Sequence, residues 1–379
     1  MKTIQTIVGM LFLASSIFMI TSCSETKELI ESQVTEVEEA VTGSLTPLQR
    51  LHRVSLDANG NVVIENIPDG SIENKNVHVI THGWAPGYKP AVDWYAKHHP
   101  GETLLAWDPD AVADGERFFV GSFFPLAKSI LEADRGSAVL VFSWIDISAT
   151  ETDWIGLLEG KDYDEFCGVE KRTRAVGLMM KEAVDAALKS GVPHELHLLG
   201  HSFGTKVVSE AGVHLKRVGY LDKIHITLFD SPERAPASCG DNRLYDVLAA
   251  FAPDRENFFV DNYISYWDEC LSDKSKELDL IVDATIIPYG SGDLDSCQAN
   301  HTTSWSECAS CKHSAGVNWY TAATNDPSHD IGLWWSPLMG HPRVAKTLTQ
   351  YYFKPYTNPV NIGQAKECKQ DEVSTCVPD

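Results

Sequence analysis

The chain has 379 residues, of which 43% are hydrophobic, so it can bury a substantial core as one large domain or two modest ones. Its 53 Asp and Glu outnumber its 31 Lys and Arg, which gives a net charge of -22. Because this charge repels phosphate backbones, no nucleic-acid partner is expected.

The N-terminus predicts an export signal. Lys2 precedes an apolar run from Ile7 to Ile20, which is short for a membrane-spanning helix and typical of a signal-peptide core. The run ends in Ile-Thr-Ser-Cys23, which resembles the bacterial lipobox and implies cleavage before Cys23 and lipidation of its thiol. We therefore expect a signal peptide over residues 1–22 and a lipid anchor to a bacterial membrane, at the outer membrane or cell surface. An ordinary secretory signal, with a periplasmic or extracellular product, is the alternative.

Residues 23–48 are acidic and lack aromatic side chains, so they are interpreted as a tether. From about Leu51 onward, short apolar runs alternate with amphipathic stretches, and we place a single domain over residues 49–379. Predicted strands are NVHVITHG, SAVLVFSWID, ELHLLGHS, KIHITLFD and NFFVDNYIS, and predicted helices are RTRAVGLMMKEAVDAALKSG and TKVVSEAGVHLKRVG. The alternation predicts an α/β fold with a mostly parallel sheet covered by helices on both faces.

The cysteines fit an exported protein. Without Cys23, eight remain, an even number that allows four disulfides of undetermined connectivity. They are Cys167, Cys239, Cys270, Cys297, Cys308, Cys311, Cys368 and Cys376. The run Cys308-x-x-Cys311-x-His313 could instead belong to a zinc site, but the chain has no second ligand pair of similar spacing, and no metal is expected.

One short motif carries chemistry. Gly200-His-Ser202-Phe-Gly204 matches G-x-S-x-G, a tight turn that projects a serine hydroxyl above the sheet, and it lies between a predicted strand and a predicted helix. Ser202 is therefore the candidate nucleophile. A glycine-rich packing turn is the alternative interpretation.

An earlier strand, Val-Ile-Thr-His82-Gly83-Trp84, ends in a second motif. Together with GHSFG, it resembles the α/β-hydrolase superfamily, specifically lipases of the pancreatic-lipase type, over roughly residues 77 to 352. The resemblance implies an oxyanion hole formed by the backbone N–H groups of Trp84 and Phe203. It also implies that His82 holds the loop and is not the base.

The same resemblance suggests the acid. Asp230 follows the strand after the elbow helix, where such lipases have an aspartate that orients the base, although Ser231 here separates it from Pro232. Other α/β-hydrolases take the acid from after the next strand, so Asp261 and Asp268 remain alternatives.

Three histidines are candidate bases. His329 lies in a run of turn-forming residues and is preferred, with His313 and His341 as alternatives. A C-terminal helix is expected over residues 342–352.

Residues 283–326 form a cysteine-containing insertion before His329. They show little helical or strand periodicity and are a candidate lid. Five apolar side chains in it could line the mouth of the site, or could simply pack against the domain. They are Ile286, Ile287, Trp305, Trp319 and Tyr320.

These features predict a secreted serine hydrolase that needs no cofactor and cleaves carboxylic esters, with Ser202, His329 and Asp230 as its triad. Its expected substrates carry hydrophobic acyl groups. The alternatives are another acyl-transfer enzyme, such as a peptidase or acyltransferase, and an inactive surface-binding lipoprotein.

Replacing the lipidated residue tests the export hypothesis. Cys23→Ser should convert a membrane-fractionating protein into unprocessed or soluble material, because the thiol that carries the lipid is lost. The other cysteines should resist alkylation until they are reduced. Eight free thiols in protein taken from its native compartment would contradict the disulfide part.

Overall fold

The structure is a computed structural model. It describes residues 45–104, 123–151, 163–216, 221–232, 244–249, 257–263, 284–287, 313, 315–326, 332–339, 349–353 and 365–369. No helix within these ranges combines the length and the apolar character needed to cross a bilayer.

Strands and helices alternate along the chain. The strands are β1 (Leu51–Leu56), β2 (Val62–Asn66), β3 (Asn76–Thr81), β4 (Ala85–Pro86), β5 (Ala138–Phe142), β6 (Ala149–Thr150), β7 (His194–His201), β8 (Leu221–Phe229), β9 (Phe258–Tyr263), β10 (Ala284–Ile287), β11 (Thr349–Phe353) and β12 (Ala365–Lys369). The helices are α1 (Lys89–His98), α2 (Phe123–Ala133), α3 (Ile145–Ser148), α4 (Tyr163–Ala187), α5 (Gly204–Lys216), α6 (Leu244–Ala249) and α7 (Ala315–Thr324), with short 3-10 turns at Leu48–Arg50, Gly332–Trp335 and Pro337–Met339.

Ten of the strands form one sheet in the order β12-β11-β10-β9-β8-β7-β3-β5-β1-β2. Neighbouring strands are parallel from β5 through β3, β7, β8, β9 and β10 to β11. β1 runs antiparallel to both β5 and β2, and β12 runs antiparallel to β11. The expected mostly parallel sheet is confirmed, and its interior strands are buried on both faces, as continuous apolar runs predict.

Helices cover both faces of this sheet. On one face, Gly212 of α5 lies so close to Leu198 and Ile226 that a Cβ there would approach the Ile226 side chain to 2.7 Å. On the other, Tyr320 of α7 lies 6.4 Å from the ring of His197, measured between centroids. Because neighbouring side chains of a strand point to opposite faces, residues 197 and 198 place these two helices on opposite sides.

Two expectations for the C-terminal part were wrong. The region assigned to an aperiodic insertion contains α7, whose Trp319 and Tyr320 are buried in the core and therefore pack against the domain. A helix was also expected over residues 342–352, but its last residues, from Thr349 onward, belong to strand β11, which pairs with β10 and β12. The segment TQYYF is rich in aromatic residues, which favour strands.

A row of three buried histidines crosses the α7 face of the sheet. His78, His197 and His225 are register partners on β3, β7 and β8. The Nδ1 atoms of His78 and His197 are 3.1 Å apart, and the rings of His197 and His225 stack with centroids 4.0 Å apart. Thr227 Oγ1 lies 2.8 Å from His197 Nε2.

Carboxylates flank both ends of this histidine row. His78 Nε2 is 3.3 Å from Asp134 Oδ2, and His225 Nε2 is 3.0 Å from Asp261 Oδ1. Burial lowers the pKa of His78, and burial together with the two neighbouring histidines lowers the pKa of His197 well below its ordinary value. Both rings are therefore held neutral in the folded chain.

This row should make the fold sensitive to acid. A histidine with a lowered folded-state pKa contributes stability that is complete above its unfolded pKa of about 6.5 and is lost as the pH falls towards the folded value. We expect the free energy of unfolding to fall steadily below about pH 6.5, and His197→Gln to reduce that slope by about 1.4 kcal/mol per pH unit, the contribution of one proton.

Urea unfolding at a series of pH values measures this slope. Leu198→Ala, on the opposite face of the same strand, is the matched control, since it removes packing at every pH and should leave the slope unchanged. An unchanged slope in His197→Gln would show that His197 takes up a proton equally in the folded and unfolded states, so that the fold does not hold its ring neutral.

Candidate active site

The turn after β7 has the geometry of a nucleophile elbow. Ser202 has φ 55, a left-handed conformation that is rare for residues other than glycine. Its N–H donates to the carbonyl of Phe229 at 2.9 Å, and its carbonyl accepts from the N–H of Thr205 at 2.9 Å, where α5 begins. The strained backbone is thus held from the adjacent strand and from the helix that follows.

Close backbone approaches explain the glycines around Ser202. A Cβ on Gly83 would lie 2.5 Å from the Ser202 Cβ, and one on Gly204 would lie 2.5 Å from the carbonyl oxygen of His82. A Cβ on Gly200 would collide with the carbonyl of Gly204. The turn after β3 and the elbow after β7 are therefore in direct backbone contact.

His82 shapes the loop on the β3 side. Burial lowers its pKa to about 4, so the ring is neutral near pH 7. Its Nδ1–H donates to the Gly83 carbonyl at 2.8 Å, and its Nε2 accepts from the backbone N–H of Trp144 at 3.1 Å. The Trp144 indole N–H in turn donates to the His82 carbonyl at 2.8 Å. These bonds fit the interpretation of His82 as a residue that holds the loop.

Trp84 follows Gly83 in the same loop, and its indole N–H donates to Thr150 Oγ1 at 2.8 Å. The backbones of Trp84 and Phe203 thus flank the Gly83–Ser202 contact from its two sides. The N–H groups of Trp84 and Phe203 remain the predicted oxyanion donors.

Asp230 ends the neighbouring strand in a similar strained turn. It has φ 51, is fully buried, and its N–H donates to the Tyr263 carbonyl at 2.7 Å. Since β7 and β8 are parallel neighbours with His201 opposite Phe229, Ser202 and Asp230 emerge at the same edge of the sheet.

The histidine bonded to Asp230 is His313. Its Nδ1 lies 2.5 Å from Asp230 Oδ2, and its side chain is almost fully buried. It stands just before α7, where Gly316 packs against Tyr263 and Phe229 at the ends of β9 and β8. The sequence had favoured His329 and kept His313 as an alternative.

A further contact brings His313 to the elbow itself. His201, the residue before Ser202, donates from Nε2 to the carbonyl of His313 at 2.8 Å. The two imidazole rings lie 4.5 Å apart, centroid to centroid. Ser202, Asp230 and His313 are therefore collected around one sheet edge.

The other candidates fall in different places. Asp261 is a buried residue of β9, and its two oxygens meet His225 at 3.0 Å and the Tyr263 hydroxyl at 3.2 Å. It belongs to the histidine row. Asp268, His329 and His341 lie outside the described residues, as do Trp305 and the Cys308–Cys311 pair, and so do the side chains of Ile286 and Ile287.

Ser231 has a role that the sequence did not reveal. The departure from Asp-Pro places its hydroxyl 2.9 Å from Thr205 Oγ1, beneath the elbow, while Thr205 Oγ1 also donates to the Ser202 carbonyl at 2.6 Å. Both side chains are fully buried. The sequence signal for this contact is weak: it consists of a serine directly after Asp230 and a threonine, Thr205, three positions after Ser202.

Within the described part of the chain, no three His, Cys, Asp or Glu side chains are grouped as metal ligands.

A mostly parallel sheet with helices on both faces and a serine elbow between an interior strand and its helix defines the α/β-hydrolase fold, and this chain has that fold. No protein-family model and no curated protein matches its sequence. Among solved structures, it is similar to an esterase from Pyrobaculum calidifontis at 11% identity and a TM-score of 0.31, over 79% of this chain and 92% of the esterase.

More distant likenesses are a hydrolase from Oleispira antarctica and esterase B from Lactobacillus rhamnosis. The first is 12% identical with a TM-score of 0.22, over 66% of this chain and 68% of that one. The second is 12% identical with a TM-score of 0.23, over 73% and 78%. Likenesses this distant carry no information on substrate.

Substituting two aspartates distinguishes the site from the histidine row: Asp230 follows β8, whereas Asp261 lies within β9. Asp230→Asn should lower turnover by about 10⁴-fold, because an amide does not hold the histidine in the tautomer that accepts the serine proton. Asp261→Asn should lower the free energy of unfolding instead and leave the turnover of the folded protein within a few-fold. Ester hydrolysis and urea unfolding of both variants measure the difference, and a crippling effect of Asp261→Asn with little effect of Asp230→Asn would reassign the acid.

Proposed function

We propose that this protein is a serine hydrolase that cleaves carboxylic esters through an acyl-enzyme. Ser202 is the nucleophile, His313 the general base and acid, and Asp230 the residue that orients it. The observation that carries the proposal is the His313–Asp230 hydrogen bond of 2.5 Å beside a serine held at positive φ. His313 replaces His329 in the triad that the sequence favoured.

Each proton has a defined path in this mechanism. With Nδ1–H bonded to Asp230, Nε2 of His313 is the ring atom that takes the Ser202 proton as the hydroxyl oxygen attacks the ester carbonyl. The carbonyl oxygen becomes an oxyanion, for which the backbone N–H groups of Phe203 and Trp84 are the proposed donors. His313 then protonates the departing alcohol, and a water molecule activated by the same ring releases the acid and restores Ser202.

The surroundings of the elbow support an apolar acyl group as the substrate's acid part. The Phe123 ring packs edge-on against His201 with centroids 5.9 Å apart, and Trp84 is 9% exposed beside Gly83. Trp319 and Tyr320 instead pack against the ring of Tyr263, with centroids 5.6 and 5.2 Å away. The likeness to lipases of the pancreatic-lipase type rests on the sequence motifs and is part of the same proposal.

Four further features remain proposals that the sequence supports. They are export, lipidation of Cys23, disulfides among the eight other cysteines, and the division of the chain into residues 1–22, 23–48 and 49–379. Cys167 is buried within α4, which suits a cysteine that is not exposed as a reactive thiol. A lid function for residues 283–326 would be confined to the part before α7.

A panel of nitrophenyl esters from acetyl to palmitoyl tests the reaction, with Ser202→Ala as the blank. We expect turnover of esters with hydrophobic acyl groups and a loss of at least about 10³-fold in Ser202→Ala, since the acyl-enzyme route disappears. Labelling of Ser202 by a fluorophosphonate should be lost in parallel. Absence of turnover with every ester would favour the alternative of an inactive binding protein. Near-normal hydrolysis by Ser202→Ala would contradict the proposed mechanism.

Two histidine variants provide the matched comparison. His313→Ala should cost about as much as Ser202→Ala, because residues that act as one unit give non-additive losses. His329→Ala should leave the rate within a few-fold. The reverse result would restore His329 as the base.

A further inference from the structure

His201 contacts both members of the proposed catalytic pair. Its backbone directly precedes Ser202, and its Nε2–H donates to the carbonyl oxygen of His313 at 2.8 Å. The imidazole rings of His201 and His313 lie 4.5 Å apart at an angle of 50°. One residue thus joins the strand that presents the nucleophile to the segment that presents the base.

The position of the His313 ring depends on where its backbone lies. Asp230 fixes one ring nitrogen, but a ring held at a single atom can still turn with its main chain. The bond from His201 fixes the main chain at the same residue, so ring and backbone of His313 are both anchored at the sheet edge. Since a misplacement of about 1 Å in a catalytic group can cost about 10²-fold in rate, this second anchor has mechanistic value.

His201 is itself held in place. The Phe123 ring of α2 packs against it with centroids 5.9 Å apart, in an edge-to-face arrangement. Its backbone is fixed by the parallel register of β7 with β8, where it lies opposite Phe229. A side chain constrained from the strand and from α2 can transmit that constraint to His313.

We propose that His201 is a positioning residue that sets the base against the nucleophile. The inference rests on the proposed roles of Ser202 and His313. His201 makes its contact through the His313 main chain, so it acts through that residue and takes no proton from the substrate. In this proposal the third position of the G-x-S-x-G motif supplies the nucleophile, Ser202, and its second position, His201, holds the base, His313, in place.

Two substitutions separate positioning from simple packing. His201→Leu removes the donor, whereas His201→Gln keeps an N–H at a similar reach from the backbone. We expect His201→Leu to lower kcat by about 10- to 100-fold with KM nearly unchanged, because the loss falls on the geometry of the reacting groups. His201→Gln should recover most of the rate, and His98→Leu, on exposed helix α1, is the matched control that should keep it.

A spectroscopic measurement provides a readout other than rate. The proton between His313 Nδ1 and Asp230 should give a downfield NMR signal that is lost or shifted in His201→Leu and retained in His201→Gln. An unchanged kcat and signal in His201→Leu would overturn the proposal, as would equal losses in both variants or a change confined to KM.

The outcome is separable from that of the proposed function. Fluorophosphonate labelling of wild-type Ser202, and its absence in Ser202→Ala, tests the reaction alone. If the wild type is labelled and active while His201→Leu is unaffected, only the positioning role fails. If the wild type is neither labelled nor active, the proposed function itself fails.

Discussion

The contact between two backbone turns organises the site. Gly83 after β3 and Ser202 after β7 approach so closely that neither turn has space for another side-chain carbon, and Gly204 lies equally close to the His82 carbonyl. This proximity presents the serine at the sheet edge and holds the loop carrying Trp84 beside it. The sheet, the His82–Trp144 hydrogen bonds and the buried Thr205–Ser231 pair all support that one approach.

Interior positions of three of these strands hold the buried histidine row. His78, His197 and His225 lie inside the sheet, and their carboxylate partners compensate for polar groups that would otherwise be costly to bury. Asp261 lies within β9 and pairs with His225 of the sheet interior. Asp230 follows β8 and pairs with His313, which stands just before α7. Carboxylate–histidine pairing therefore occurs inside the sheet, at His78–Asp134 and His225–Asp261, and at the sheet edge, at His313–Asp230. His225 also contacts a serine, since Ser336 Oγ lies 2.9 Å from its Nδ1.

Features that depend on local sequence patterns could be predicted, whereas features that depend on contacts between distant segments could not. Ser202 depends on a local motif between a strand and a helix, and the apolar runs of β3, β5, β7, β8 and β9 are local patterns too, so these features could be predicted. Asp230 needed a resemblance, because several aspartates follow strands. The base depends on where a distant segment folds back, and turn-forming residues around His329 say nothing about that. α7 escaped prediction because its sequence AGVNWYTAAT combines glycine, threonine and aromatic residues, and packing of Gly316 on Tyr263 outweighs their low helical propensity.

The positive φ angles of Ser202 and Asp230 have a consequence for how this molecule could change over time. A left-handed conformation costs about 1–2 kcal/mol at a residue with a Cβ, and glycine escapes that cost. Glycine at either position would relieve this backbone strain, but at residue 202 it would remove the hydroxyl and at residue 230 the hydrogen bond to His313. Serine and aspartate at these two positions therefore carry a backbone cost that glycine would avoid.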